Sequence, residues 1–324
     1  MHPTSSIDVK LRTVGELTEA MLSVGFQGRK LAEAVEIWTR MAKESATIFM
    51  GLSGAMVPAG MRKLIAFLIQ HGLIDCLVST GANIFHDCYE ALGNSHYIGT
   101  HTVDDVELCK LGIDRIYDIF AYEQKFRAID WFIHDFAMTL PGKPCSSANF
   151  MKLLGEHVEK AGGSYDSIIV SAYRHDIPLF VPGLCDSSIG LSLYCAKLSG
   201  KDVLIDHIED IRQITEMVRD AQSSGVIYVG GGVPKNFIQQ TATAIRLTSG
   251  NNVDCGHDYA IQFTTDSPQW GGLSGCTFEE AVSWGKVREL AQKVQVFVDA
   301  TIALPIVVHA VAENLGLSKD AESR

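Results

Sequence analysis

The sequence is short of positive charge. It contains 27 Lys and Arg residues against 38 Asp and Glu residues, and its formal net charge is −11 at pH 7. Binding to nucleic acid requires a basic surface, so this balance argues against a nucleic-acid partner. An acidic chain of this kind is better suited to a site that attracts cationic small molecules.

A long uninterrupted apolar run is also lacking. The start of the chain, MHPTSSIDVKLRTVGEL, has no basic segment followed by an apolar stretch. The apolar run nearest the other end is interrupted by Pro305 and His309, and is too short to span a bilayer. We therefore expect no membrane association and a cytoplasmic location.

No CxxC pair occurs among the eight cysteines. Scattered single cysteines are typical of reduced structural thiols rather than of a disulfide framework or a zinc site. His86, His96 and His101 lie close together in the sequence, but their spacing matches no metal-ligand signature. We expect these to be polar loop histidines, and we predict no metal site.

No Pro-, Gly- or Ser-rich linker divides the 324 residues, and the composition of 47% hydrophobic and 20% charged residues is that of an ordinary globular enzyme. The sequence therefore predicts a single domain over residues 1–324. Within it we place N-terminal helices at 1–46, an α/β core at 47–317 and a polar tail at 318–324.

The N-terminal segment has helical periodicity. Its apolar residues recur mostly at intervals of three and four, and the pattern is broken at Gly25–Gly28, which indicates two helices. The residues that carry this pattern are Leu17, Met21, Leu31, Ala34, Ile37 and Met41.

Short, continuously apolar runs follow, separated by amphipathic stretches. Continuous rather than alternating hydrophobicity is typical of parallel strands covered on both faces, so we predict a doubly wound, mostly parallel, Rossmann-like α/β sheet. In such sheets ligands bind outside the carboxyl ends of the strands. The runs are TIFMGLSGAM, IDCLVSTGAN, SIIVSAYRHD, PLFVPGLCDSS, DVLIDHIEDI, GVIYVGGGVPKN, DYAIQFTTD and VQVFVDAT.

Two kinds of strand-end residue could contact a nucleotide. YVGGGVPKN follows an apolar run, and its glycines could bring backbone N–H groups to a phosphate, although Lys235 and Asn236 stand where GxGxxG would need a third glycine. Asp186 and Asp299 could accept hydrogen bonds from ribose hydroxyls. The alternatives are a simple tight turn for the glycines and helix N-caps for the aspartates.

The stretch EEAVSWGKVRELAQ contains a lysine, Lys286, next to an aromatic residue and a glycine. Most lysines are solvated surface charges, but desolvation beside Trp284 would favour the neutral amine that imine chemistry requires. Glu280 lies four residues before Trp284, on the same helical face, and could instead belong to a capping box that starts at Thr277. Convergence of the three side chains requires the helix to end near Gly285.

EEAVSWGKVR, VFVDA and GGGVPK together resemble the deoxyhypusine synthase family, including its bacterial synthase-like branch and the related homospermidine synthases. The resemblance runs in order from about Thr47 to Pro305, through GMRKLIAFLIQHGLIDCLVSTGAN, IPLFVPGLCDSSIG and DATIALP. It implies an NAD-dependent transfer of the 4-aminobutyl group of spermidine. The donor is oxidised by hydride transfer to NAD, a lysine captures the imine, an acceptor amine displaces the lysine, and the hydride returns.

The resemblance also implies roles for single residues. Lys286 would form the imine, Trp284 would lie along the polyamine, and Glu280 would be a carboxylate serving the polyamine and the cofactor. The acceptor would be a lysine of a translation factor 5A-type protein or a diamine such as putrescine, and the assembly a homotetramer with active sites at a dimer interface. The expected NAD contacts are Thr80, Asp186, Gly232, Thr265, Ser274 and Asp299.

Several positions depart from the family pattern. Asn236, which we expect to contact substrate, replaces an active-site histidine, and Leu191 and Leu273 replace aspartates that hold substrate amines. His86 replaces an acidic residue, and the nucleotide-side positions of the LSGAM loop are occupied by Gly54, Ala55 and Pro58. Because leucine cannot bind an ammonium group, two alternatives stay open: an NAD-dependent dehydrogenase or lyase acting on another amine, and a non-catalytic NAD-binding scaffold.

Overall fold

A computed structural model describes residues 2–250 and 253–317. The polar tail predicted at 318–324 lies outside the described residues. The chain forms two compact units: the first comprises residues 1–53, 73–76 and 212–324, and the second comprises Gly54–Gly72 and Leu77–Ile211. The single domain over residues 1–324 stays a prediction.

Parallel strands and helices alternate along much of the chain. The strands are β1 (Thr47–Leu52), β2 (Cys76–Ser79), β3 (Tyr97–Ile98), β4 (Ile113–Ile116), β5 (Ile119–Tyr122), β6 (Leu179–Phe180), β7 (Ser224–Val229), β8 (His257–Thr264) and β9 (Val287–Phe297). The helices are α1 (Val14–Met21), α2 (Phe26–Lys43), α3 (Arg62–Gln70), α4 (Gly81–Ala91), α5 (Asp105–Lys110), α6 (Glu123–Thr139), α7 (Ser147–Lys160), α8 (Ile168–Arg174), α9 (Ser188–Leu198), α10 (His207–Asp220), α11 (Gly232–Ser249), α12 (Phe278–Ser283) and α13 (Ala300–Asn314).

The first unit contains a parallel sheet in the order β1-β7-β8-β9. Every residue of β7 is buried, and β1 and β8 are buried except at Thr47 and Asp258. Strands covered on both faces read as continuous apolar runs, which is why the sequence revealed them. The α/β prediction is confirmed.

The two N-terminal helices pack on this unit, as the periodicity predicted. Thr13 and Glu16 form a reciprocal capping box that starts α1, and Gly25 precedes α2. Trp38 of α2 is fully buried, and its indole N–H donates to the Leu73 carbonyl at 3.3 Å. This hydrogen bond satisfies the one polar atom of an otherwise apolar anchor.

The second unit has a parallel pair, β2 with β6, and a separate antiparallel sheet in the order β3-β5-β4. The apolar runs of the sequence do not predict the antiparallel sheet. Its strands are two to four residues long and carry half-exposed side chains, so they lack the apolar runs that identify buried strands.

Two apolar runs predicted as strands are wrong. SIIVSAYRHD forms helix α8, because the buried Asp87 carboxylate accepts hydrogen bonds from the backbone N–H groups of Ile168 and Ile169 and from the Ser167 hydroxyl, and Ser167 caps the helix. The side chain of Asp87 is itself held by the Arg62 guanidinium at 2.9 Å. A buried helix that is apolar all round cannot be told from a buried strand by periodicity.

In the other wrong prediction, DVLIDHIEDI, Ile205 forms an isolated bridge with Cys145, and helix α10 begins at His207. The carboxylate of Asp206 accepts from the backbone N–H groups of Ile208 and Glu209, each at 3.0 Å. An aspartate in that position starts a helix, which ends the extended segment.

Searched over the described residues, no helix is both long and apolar enough to cross a membrane. The same residues contain no group of three or more His, Cys, Asp or Glu side chains placed to hold a metal. His86 and His96 contact each other at 3.0 Å, and His101 stacks on Tyr117 instead, so the three neighbouring histidines do not converge.

The buried His257 should make stability depend on pH. Burial lowers the pKa of His257 from 6.5 to about 4, and its Nδ1 lies 2.9 Å from the Ser224 hydroxyl. Between these pH values the unfolded chain binds more protons, so stability is present above pH 6.5 and is lost as the pH falls. We expect this residue to reduce the free energy of unfolding by about 2 kcal/mol between pH 7 and pH 5.

Denaturant unfolding of the unaltered protein and of His257→Asn at both pH values tests this. The variant should be less stable at pH 7 but should lose correspondingly less stability on acidification. An equal loss in the two proteins would show that His257 does not carry the effect.

Candidate functional site

The glycine loop after β7 is fixed by one buried side chain. Gln262 of β8 donates through Nε2 to the Gly230 carbonyl at 2.7 Å and to the Ser274 carbonyl at 2.9 Å. A Cβ atom on Gly231 would collide with Ser274, so the loop and the Ser274 segment are in direct contact. Two of the expected cofactor contacts, Gly232 and Ser274, therefore lie together, at the start of helix α11.

The ends of β8 and β9 are neighbours. The backbone N–H of Val298 donates to the Thr264 carbonyl at 3.0 Å, which sets Thr265 and Asp299 on adjacent strand ends. Asp299 caps α13, since its Oδ1 accepts from the N–H of Thr301 at 2.7 Å and from its hydroxyl at 2.6 Å. These bonds hold the pKa of Asp299 below its ordinary value. Of the two roles that the sequence allows for Asp299, the structure therefore shows the helix cap.

Thr80 and Asp186 belong to the second unit. Thr80 caps α4, and its hydroxyl donates to the Gly54 carbonyl at 3.0 Å. A Cβ on Gly81 would collide with Ser187, so the starts of α4 and α9 are in contact. Ser187 rather than Asp186 caps α9, which leaves the exposed Asp186 carboxylate free of the capping role.

Lys286 follows a helix that ends abruptly. The Thr277 hydroxyl accepts from the Glu280 N–H at 3.2 Å to start α12, and Trp284 is its C-cap. At the end, the N–H of Gly285 donates to Val282 and the N–H of Lys286 donates to Ala281. These are the two bonds of a Schellman motif, with glycine in the left-handed conformation at φ 60°.

This helix end decides where the lysine side chain goes. Because α12 stops at Ser283, Lys286 is not carried round to another helical face, and its Nζ lies 5.2 Å from the centre of the Trp284 ring. That distance is within the range of a cation–π contact. Trp284 is 60% exposed and Lys286 is half-buried, so a solute can reach both.

A buried polar cluster lies beneath α12, and we call it the Lys235 cluster: Lys235, Gln262, Gln295 and the Cys276 carbonyl. Lys235 is 1% exposed, and its Nζ donates to Gln262 Oε1 at 2.9 Å and to the Cys276 carbonyl at 2.6 Å. Gln295 donates to the same two acceptors at 3.0 and 3.4 Å. The cluster therefore joins α11, β8, β9 and the residue that precedes Thr277.

The charges of the site act on one another. Burial lowers the pKa of Lys235 from 10.5 to about 8, with smaller opposing effects from Cys276 and Glu280 and a further lowering from Lys286. Burial likewise raises the pKa of the Cys276 thiol, on which Lys235, Glu280 and Lys286 all act. The charges of Glu280 and Lys286 thus act on the Lys235 amine and on the Cys276 thiol.

The expected site residues do not all lie at the same edge of the sheet. The N–H of His257, at the start of β8, donates to the Lys286 carbonyl at 3.2 Å, so the Lys286 backbone lies at the amino ends of β8 and β9. Thr265 and Asp299 follow the carboxyl ends of the same two strands. Asn236 is half-buried on α11, one residue after Lys235. Leu191 and Leu273 are 60% and 44% exposed.

The sequence patterns described above do not predict the Lys235 cluster. Lys235 occupies a position where GxGxxG needs a glycine, and Gln262 and Gln295 lie within apolar runs. One signal in the sequence could have indicated the cluster. A lysine or glutamine inside a continuously buried strand or helix must find polar partners.

Comparison with known proteins gives consistent matches over nearly the whole chain. The family model described as "Deoxyhypusine synthase" matches residues 16–311. "Probable deoxyhypusine synthase 2" of Methanosarcina acetivorans is 59% identical over 314 residues, covering 97% of this chain and 90% of that protein. The "Deoxyhypusine synthase-like protein" of Chlorobaculum tepidum is 36% identical over 310 residues, covering 94% and 88%.

A solved structure described as "a putative deoxyhypusine synthase from Entamoeba histolytica" has a similar fold. Its TM-score is 0.60 at 19% identity, and the match covers 91% of each chain.

Gly285 should be less tolerant of a side chain than a comparable glycine. Gly285 and Gly271 have φ of 60° and 70°, but a Cβ on Gly285 would meet the Arg246 guanidinium, whereas none of the described atoms lies within 4 Å of a Cβ on Gly271. Arg246 also donates to the Trp284 carbonyl. We expect Gly271→Ala to cost about 1–2 kcal/mol, and Gly285→Ala about 1 kcal/mol more, measured by denaturant unfolding. Equal losses in the two variants would mean that the Arg246 contact does not restrict this turn.

Proposed function

The chain belongs to the deoxyhypusine synthase family, and from this premise we propose that it transfers the 4-aminobutyl group of spermidine to an acceptor amine through an imine on Lys286. Members of this family are transferases, and the proposed reaction uses NAD as a bound hydride carrier. The observation that carries the proposal is the turn at Gly285, which sets the Lys286 amine against the Trp284 ring.

The residues present fit a dinucleotide. Gly232, at φ 56° with no described atom within 4 Å of a Cβ, leaves open space at the start of α11, where backbone N–H groups and the helix dipole favour a phosphate. Asp299 uses Oδ1 for its cap, so Oδ2 can accept from a ribose hydroxyl. When bound, NAD would accept a hydride from the donor amine and later return it.

The chain's own groups would act on the polyamine as follows. The Trp284 ring attracts the cationic donor, and the Glu280 carboxylate pairs with an ammonium group. The neutral Lys286 amine attacks the oxidised carbon and forms the imine, with loss of diaminopropane. An acceptor amine then attacks the same carbon and releases Lys286, so the lysine is regenerated.

The identity of the donor amine depends on two positions that differ from the family pattern. Leu191 and Leu273 stand where carboxylates would hold a multiply charged amine, and both are well exposed. Loss of two such ion pairs weakens binding of spermidine unless other groups replace them. This observation favours, as a second candidate, an NAD-dependent reaction of a different amine on the same lysine. The acceptor is a protein lysine of a translation factor 5A-type protein or a diamine such as putrescine.

We further propose a homotetramer with active sites at a dimer interface, and a cytoplasmic location. The eight cysteines, all within the described residues, are free thiols, which is typical of proteins kept in a reducing compartment. Sedimentation of the purified protein would measure the assembly directly.

The imine can be trapped. We expect purified protein incubated with NAD and spermidine and then quenched with borohydride to carry a butylamine adduct on Lys286, located by intact and peptide mass spectrometry. Lys286→Ala should carry no adduct while still binding NAD, because the substitution removes only the nucleophile. Lys293→Ala on β9 is the matched control and should behave like the unaltered protein. An adduct on Lys286→Ala would overturn the assignment, and no adduct on any protein despite NAD binding would favour the non-catalytic scaffold.

The redox balance separates the transferase from a dehydrogenase. A transferase returns its hydride, so we expect no net NADH to accumulate while the donor is consumed in the presence of an acceptor. The measurement is nicotinamide absorbance alongside quantified diaminopropane, with putrescine and a translation factor 5A-type protein tested as separate acceptors. NADH that accumulates in proportion to consumed amine would support the dehydrogenase instead.

A further inference from the structure

Helices α6 and α9 form a cavity in the second unit, which we call the Asp130 cavity. Its lining includes Arg127, Asp130, Trp131, Leu191, Ser192 and Tyr194. The two helices are held together by side chains, since His134 Nε2 of α6 lies 3.1 Å from the hydroxyl of Ser199, the C-cap of α9. The cavity has a volume of about 340 Å³, at the low end of the range of about 300–1,000 Å³ that is usual for small-molecule sites. It is therefore of a size for a small ligand.

The walls of the Asp130 cavity are largely apolar and aromatic. Trp131, Leu191 and Tyr194 line it, and they are 57%, 60% and 58% exposed. Single exposed apolar residues are ordinary on a protein surface, whereas several that share one concave site are typical of a place that binds something. Tryptophan and tyrosine rings also attract cations to their faces. The walls therefore suit the carbon chain of a cationic ligand.

One carboxylate, that of Asp130, lines the cavity, and it is poorly satisfied. Its Oδ1 accepts from the Ser192 hydroxyl at 3.4 Å, but that hydroxyl has a single hydrogen and lies closer, at 2.9 Å, to the Ser188 carbonyl. The guanidinium of Arg127, the other charged group of the lining, pairs with Glu123 instead. Within the part of the chain that the structure describes, Asp130 has no ion-pair partner.

This carboxylate would gain from a bound cation. Burial raises the pKa of Asp130, and the opposing effects of Ser192 and Arg127 are smaller. The ionised side chain has therefore given up water without receiving an equivalent partner from the protein. An ammonium group that enters the cavity would supply both a positive charge and hydrogen-bond donors.

We propose that the Asp130 cavity binds an aliphatic amine: Asp130 pairs with a terminal ammonium group, and Trp131, Leu191 and Tyr194 contact the adjoining carbon chain. Leu191 stands where the family pattern has an aspartate for a substrate amine, so the carboxylate that is missing from α9 is supplied by α6. Spermidine as the ligand rests on the function proposed above. Asp130 binds the amine and forms no covalent bond to it.

Binding of amines to the full-length protein tests the proposal without turnover. Spermidine and putrescine are titrated by calorimetry at fixed pH and salt, with and without NADH, which occupies the cofactor site but cannot accept a hydride. Butanediol is the uncharged analogue of putrescine. Asp130→Asn removes only the charge, and Asp135→Asn, on the same helix but outside the lining, is the matched control. Leu191→Asp is made alone and together with Asp130→Asn.

We expect Asp130→Asn to weaken binding of both amines about tenfold, because it removes one charge-assisted hydrogen bond. Asp135→Asn should bind like the unaltered protein, and butanediol should bind to none of them. The double variant should recover the lost affinity, because Leu191→Asp returns a carboxylate to the same cavity. Since the Asp130 carboxylate lacks a partner, Asp130→Asn should not lower the thermal midpoint, whereas a structural role for Asp130 predicts that it does.

Two outcomes would overturn the amine site. The first is equal amine affinity in the unaltered protein and Asp130→Asn, or no amine affinity in either. The second arises if another copy of the chain covers the cavity. Sedimentation would then show that Leu191→Asp dissociates the assembly, while amine binding would stay the same in every variant.

The amine site and the imine chemistry can fail separately. Amine binding that requires Asp130, without a borohydride adduct on Lys286, would support the site and overturn the imine chemistry. An adduct that forms at the same rate in Asp130→Asn as in the unaltered protein, at spermidine concentrations below saturation, would overturn the site and leave the imine chemistry intact.

Discussion

The site depends on the amide of one glutamine. Gln262 uses its nitrogen to hold two backbone carbonyls, those of Gly230 and Ser274, and its oxygen to accept from Lys235 and Gln295. Each of these partners lies on a different segment, so one side chain on β8 sets the spacing of the glycine loop, the Ser274 segment and two neighbouring elements. Such a buried network is stable only when all its members are satisfied, which makes the segments mutually dependent.

The same network explains what could be learned from the sequence and what could not. The parallel strands were readable because burial on both faces leaves continuous apolar runs. The end of α12 near Gly285 was permitted by the sequence but not predicted by it, and the structure supplies the left-handed glycine cap. The Lys235 cluster was not readable, because pairing between Gln262 and Lys235 joins residues on different elements. Helix α8 was missed for a related reason: Asp87, far away in sequence, supplies the carboxylate that holds its first turn.

For the two strand-end aspartates, the structure shows which one caps a helix. The sequence allows either a helix N-cap or a ribose contact for both Asp299 and Asp186. Only Asp299 is a cap, because capping needs the carboxylate at the one position directly before the helix. At α13 that position is Asp299, whereas at α9 it is Ser187, one residue after Asp186. The sequence around each aspartate indicated a helix start but did not fix its first residue.

Helix α12 has six residues, a length at which an isolated helix in water is not stable. Its shape is therefore set at its boundaries, by Thr277 and Gly285 at the two ends and by the buried Phe278 and Ala281 along one side. Tolerance to mutation should follow the same division. Substitutions at exposed positions such as Glu279 and Ser283 should leave the helix unchanged. Substitutions at the boundary residues should change where the helix begins or ends, and so should move the lysine that follows it.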